Sequence, residues 1–208
     1  DELILAPGRY DGPVVLDRAI TLDGLAAAVV DAHGKGSVIT VSGPAVTVRG
    51  LEISGSGSSH ETIDSGIRLV KPATGAVIEN NRLLGNLYGI DVHGTTDTIV
   101  RGNEIVGRRD HRMNERGNDL GYALMFSDRI RVENNLSLRD REHGLMLNYA
   151  NNADIRGNLV RGGTKKCLFI YNGHRNLIVG NRFEGCDTGI HFTAGSERNV
   201  LTGNAFVR

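Results

Sequence analysis

His111 and Met113 stand two residues apart in a polar stretch, Gly107 to Asn118, that also carries Arg108, Arg109, Arg112 and Arg116. Imidazole nitrogen and thioether sulfur are soft donors, so a His-x-Met pair can hold a soft ion such as Cu(I). Thioether sulfur needs no deprotonation to do so, which suits an ion that must be released again. Without a metal, the same stretch reads as a salt-bridged loop that docks on its own coil or on a partner through its four Arg. A third chemistry also fits: Asp110 and His111 beside Arg109 and Arg112 could abstract a proton next to a neutralised uronate. Further donors lie downstream in Met125, Met146 and His191, accompanied by Phe169 and Tyr171. His143 is another, but its neighbours Arg141 and Glu142 suit a salt-bridged turn equally well. Cys167 would bind Cu(I) well, yet it precedes the apolar Leu168 at a bend and reads as structural.

What positions these residues is a repeat. Asn81, Asn103, Asn135, Asn158, Asn181 and Asn204 recur at intervals of 22, 32, 23, 23 and 23. A second series, Gly66-Ile67, Gly89-Ile90, Gly121-Tyr122, Gly144-Leu145 and Gly189-Ile190, runs out of phase with the first. Each half-unit is a brief apolar/polar alternation followed by a turn, as in Val77 to Asn81 or Ala153 to Asn158, which means strands with one buried face. No window sustains a helical period. The chain has 28 Gly, and Gly, Asn and Asp gather at the joints, where tight bends need them. A strand-and-turn unit of about 23 residues predicts an all-β parallel β-helix. Successive coils then pair at about 4.8 Å, apolar residues stack inward, and the repeated Asn form a ladder inside one bend.

The period aligns the coils in columns. Leu124, Leu147, Ile170 and Phe192 form an inward column. One residue earlier lies an outward column of Arg68, Asp91, Ala123, Met146, Phe169 and His191. One residue later lies a second, Val70, His93, Met125, Asn148, Tyr171 and Thr193. Met, Phe and Tyr exposed on one strand face form a candidate binding surface, unless an adjacent segment covers them. The repeat breaks once, between Asn103 and Asn135, by about nine residues beyond one coil, and the polar His111/Met113 stretch fills that break. Polar excursions from a solenoid usually sit on its rim.

Composition bounds the rest. With 5% aromatic residues and no Trp, the core is expected to consist of small branched side chains. Twenty-four basic residues balance 24 acidic ones, so there is no global pull toward nucleic acid or an anionic membrane, and no apolar run approaches membrane-spanning length. One domain covers 1–208. The first residue is Asp1 and the first segment already reads as a coil, so the native protein is expected to be longer at both ends, with an export signal removed. Cys167 and Cys186 are 19 residues apart, short of one coil. A disulfide requires a turn that closes that offset, and two separate small buried or turn residues are the expectation.

The runs GNLYGIDVHG (from Gly85), GRRDHRMNERGN (from Gly107), LGYALMFSDRIRVENNLSL (from Leu120), HGLMLNYANNADIRGNLVRGG (from His143), KCLFIYN (from Lys166) and GIHFTAGSERN (from Gly189) resemble the NosD family across about Ala6 to Arg208. The resemblance implies a right-handed β-helix and a periplasmic protein that matures the copper centres of nitrous oxide reductase. It implies association with the inner membrane through the ATPase and membrane subunits of an ABC transporter, copper received as transiently bound Cu(I) from a lipoprotein chaperone, interaction with the reductase, and no enzyme activity of its own. Members of the family are longer: about three more coils are expected where Asn118 meets Asp119. If coils are absent there, the columns hold on either side of that join but not across it. No family motif assigns the copper ligands; His111, Met113, Met125, Met146 and His191 are proposed on their chemistry, and Arg108, Arg109, Arg112, Arg116, Phe169 and Tyr171 as partner-binding. Two other readings stand beside this one. A metal-free docking scaffold would use the same face for a protein partner. A polysaccharide lyase or uronan epimerase would want charged residues on successive coils, where this face shows Met, Phe and Leu.

Overall fold

The computed structural model describes residues 1–108, 120–140, 142–162 and 165–208. It is a parallel β-solenoid with no helix among the described residues. Eight strands, one per coil, stack in sequence order into one sheet: Val14–Leu16, Ile39–Val41, Ser65–Leu69, Tyr88–His93, Leu120–Met125, His143–Asn148, Lys166–Tyr171 and Thr188–Thr193. The remaining strands form a second sheet, mostly of three-residue strands in two rows that meet at Thr47–Ser54. Every strand pair is parallel, as a coil of like turns requires.

The core forms because the alternation is in register. Val92, Leu124, Leu147 and Ile170 stack from coil to coil and are buried. Phe192 continues the column at the last coil, where it is partly exposed. Val132, Ile155 and Ile178 line the opposite wall. Burying a branched side chain of this size is worth about 1.5–3 kcal/mol, and each coil adds several.

The Asn series does form the expected ladder in the bend between the two rows. Asn103 donates from its backbone N–H and from Nδ2 to Asn135 Oδ1, at 2.9 and 3.1 Å, and its Nδ2 also reaches the Ile78 carbonyl at 2.9 Å. The pattern repeats from Asn81 to Asn204. It continues across the interval of 32 without a slip.

Cys167 and Cys186 are joined by a disulfide, with Cα atoms 5.7 Å apart, which corrects the expectation of two separate residues. Cys167 lies in the Lys166–Tyr171 strand and Cys186 in the turn just before Thr188–Thr193. A nearly complete coil has then brought the chain back to its starting strand. The strand Leu120–Met125 pairs directly with Tyr88–His93; the join at Asn118 and Asp119, with the coils expected there, lies outside the described residues.

Candidate functional site

The outer face of the eight-stranded sheet carries both outward columns in the expected register. Arg68, Asp91, Ala123, Met146, Phe169 and His191 follow one another from coil to coil. His93, Met125, Asn148, Tyr171 and Thr193 do the same one pleat along. Their exposure differs from a simple outward reading. Asp91 and Ala123 are buried, Met125, Met146 and Phe169 are half-buried, and Tyr171 and His191 are exposed. Leu87, Tyr88, Leu120 and Ala123 form an apolar cluster apart from the main core, with Ile63, Met125 and Met146 packed against it. Leu87, just before its strand, and Tyr88 and Leu120, the first residues of theirs, place this apolar surface on the outer face.

Met125 and Met146 both pack against that cluster: Met125 lies two residues beyond Ala123 on the same strand, and Met146 follows Ala123 on the next coil. His93 is Met125's neighbour on the preceding coil. Its Nδ1 is buried and has no hydrogen-bond partner among the described residues. Burial, and then the charge of Arg68, lower its pKa, which favours the neutral imidazole that a metal requires. Asn148, next in the same column, has a buried, unpartnered Oδ1. No group of three or more His, Cys, Asp or Glu stands in metal-binding range among the described residues. The donor set here is one imidazole and two thioethers, which is soft in character.

His191 stands apart from the Met pair, two coils beyond Met146 with Phe169 between them. The Phe169 ring contacts His191 at 5.4 Å and His143 at 5.0 Å, and Lys166 Nζ lies 4.1 Å from its centre. His143 is buried at the start of its strand, and burial pushes its pKa down to about 4. Cys167 is buried in the disulfide. Arg108 donates to the Gly57 carbonyl at 3.2 Å and to Ser58 Oγ at 3.0 Å. Arg109, Asp110, His111, Arg112, Met113 and Arg116 lie outside the described residues.

Along the edge of this face runs an aromatic series. Phe126 and Tyr149 stack within 8° of parallel at 5.2 Å; Tyr171 meets Tyr149 edge-on, and the His93 ring meets Phe126 at 5.6 Å. Phe126 and Tyr149 each hold φ of 52°, at the turn where the neighbouring coils place Gly94 and Asn172. Bulky residues seldom occupy that region.

The residue that site reasoning left out is His93. It lay in the outward column, but its pairing with Met125 crosses the long interval, where register could not be read from spacing. The packing of Leu87, Tyr88 and Leu120 onto the outer face had no periodic signal, because these residues sit at turns and strand starts.

A family described as periplasmic copper-binding protein (NosD) matches residues 112–208. A probable ABC transporter binding protein NosD from Stutzerimonas stutzeri is 30% identical over 246 aligned positions, covering 81% of this chain and 56% of that protein. A protein of the same name from Pseudomonas aeruginosa is 37% identical over 121 residues, 58% of this chain and 28% of its own length. The chain thus spans about half, or less, of the relatives it matches. Among solved structures, a periplasmic alginate epimerase superposes with a TM-score of 0.72 at 17% identity, covering 94% of this chain and 51% of that one. Endopolygalacturonase I from Stereum purpureum does so at 0.65 and 14%, covering 96% and 69%. At such identities the likeness shows the fold alone. On the family match and the two relatives, this chain belongs to the NosD family.

Proposed function

We propose that this chain binds copper transiently on the outer face of its eight-stranded sheet and hands it on for assembly of the nitrous oxide reductase copper centres. Binding is to Cu(I), at His93, Met125 and Met146. The observation that carries the reading is that Met125 and Met146 pack on one outer cluster and that Met125 is the register neighbour of His93, whose Nδ1 is buried and without a hydrogen-bond partner among the described residues. Half-buried Met sulfurs on a rigid sheet give a shallow, exchangeable site. His111 and Met113 are further donors from the same sequence, and His191, reached through the Phe169 ring, is a later position on the same column. The family description and the relatives' names support the periplasm, copper and an ABC transporter. The Cys167–Cys186 disulfide agrees with an oxidising compartment. Copper would arrive from a lipoprotein chaperone and leave to the reductase, with the transporter's ATPase and membrane subunits holding the chain at the inner membrane. The balanced charge gives nucleic acid no role. The alignment to the S. stutzeri protein has far more positions than this chain contributes, which supports additional coils in the longer relatives.

A second reading is a docking scaffold without metal, favoured by the exposed run of Phe126, Tyr149 and Tyr171. Cu(I) titration against a competing chelator separates the two. Met125→Ala/Met146→Ala and His93→Ala are expected to weaken binding about 100-fold, or about 2.7 kcal/mol. If only His111→Ala/Met113→Ala does so, the site belongs in the polar stretch. If the unaltered chain binds no Cu(I), the scaffold reading stands.

A further inference from the structure

Resting on the copper reading above, we infer that Arg68 is a specificity-determining residue: it holds Asp91 in an ion pair beside His93 and so withholds a carboxylate from divalent ions such as Zn(II). Arg68, Asp91 and Ala123 occupy consecutive rungs of one column, and His93 follows Asp91 on the same face of its strand. Asp91 Oδ2 lies 3.5 Å from Arg68 Nε and 3.9 Å from His93 Nδ1. Neither Asp91 oxygen accepts a hydrogen bond, although the side chain is 0% exposed. Arg68 Nε is likewise buried and donates to nothing, while its Nη1 donates to the Thr62 carbonyl, which anchors the guanidinium over the sheet.

A carboxylate and an imidazole nitrogen that make no hydrogen bond among the described residues, at that separation, are nearly a metal site. Two ligand atoms on one tetrahedral Zn(II), each about 2.1 Å away, are about 3.4 Å apart, so a shift of about half an ångström would suffice. Carboxylate with imidazole suits Zn(II) or Cu(II) and adds little for Cu(I), which takes thioether sulfur. Arg68 opposes the divalent ion twice over. It engages the carboxylate, and its own charge repels a divalent ion about twice as strongly as a monovalent one at the same distance. The column therefore places the carboxylate of Asp91, beside His93, next to a guanidinium, and the thioethers of Met125 and Met146 on later coils.

The test is competitive titration of the whole chain with Zn(II) and, separately, Cu(I). Arg68→Met is expected to tighten Zn(II) binding at least tenfold and to change Cu(I) binding less than threefold. Adding Asp91→Asn to Arg68→Met should abolish the Zn(II) gain, and Arg68→Lys, which keeps the charge, should show none. Arg68→Gln, which can still donate to the Thr62 carbonyl, gives the same comparison if Arg68→Met does not fold. A Zn(II) affinity unchanged in both Arg68→Met and Arg68→Gln overturns the inference, as does a gain that survives Asp91→Asn. A Zn(II) gain that needs Asp91, in a chain that binds no Cu(I) at all, would leave the withheld carboxylate standing and remove the copper reading.

Discussion

The two faces of this solenoid hang on the same coils and treat their polar groups in opposite ways. On the short-strand sheet, one column reads Asp23, Arg49, Glu79, Arg101, Glu133, Arg156, with charge alternating at every rung. Arg49 meets Asp23 at 2.7 Å and Arg101 meets Glu79 at 2.6 Å. A parallel stack puts like positions about 4.8 Å apart, so a column of one charge would repel itself, and alternation removes the problem. On the eight-stranded sheet the column Arg68, Asp91, Ala123, Met146 does not alternate. It leaves Arg68 Nε, both Asp91 oxygens and, beside them, His93 Nδ1 buried without a hydrogen bond among the described residues, the Arg68–Asp91 ion pair spanning 3.5 Å. Buried polar groups are nearly always satisfied, so their clustering on one face marks it as built for something besides stability.

Three substitutions put this contrast at risk. The largest effect is expected inside the satisfied scaffold. Asn135→Ala strips acceptors from the Asn103 backbone N–H and Nδ2 and the donor from the Val100 carbonyl. At about 1–3 kcal/mol for each orphaned buried group, urea unfolding should show a loss of about 4 kcal/mol. A loss below about 1 kcal/mol would mean that the ladder is ornamental to stability.

Asp91→Asn should act in the opposite direction. Burial raises the Asp91 pKa to about 7 against the opposing pull of Arg68. Between about pH 4 and about pH 7 the folded chain keeps a proton that the unfolded chain has released, so stability falls as pH rises through that window and is level on either side. The variant should lack this slope and, at pH 8, be more stable than the parent by on the order of 2 kcal/mol. A parallel pH dependence in both proteins would count against an unsatisfied outer face. The smallest effect belongs to the exposed charge ladder. Arg101→Ala should cost less than about 1 kcal/mol, and less still in high salt; thermal melts at two ionic strengths suffice to check it.

How much of this was legible beforehand follows from what a period can encode. The intervals placed Leu124 over Leu147 and Met146 over Phe169, because register in a parallel stack is a matter of counting. The Asn ladder was legible for the same reason. Burial of Asp91 and Ala123 was not, since alternation says which way a side chain points and not what lies on top of it. The disulfide needed the path of the turn at Cys186, which 19 intervening residues do not specify. The pairing of His93 with Met125 was hidden by the one interval that departs from the repeat.

The Asn ladder has a consequence for how this molecule comes into being. Each rung joins residues 22 to 32 positions apart in the chain, and strand contacts run only between successive coils. Among the described residues no hairpin supplies a cheap local start, so nucleation must close at least one whole turn against another, and growth then proceeds by nearest-neighbour addition. The same arithmetic governs length. Whole turns can be added or lost without disturbing the register on either side, whereas a fraction of a turn has no place in the stack; the Asn ladder stays in register from Asn103 to Asn135 although that interval is longer than one period.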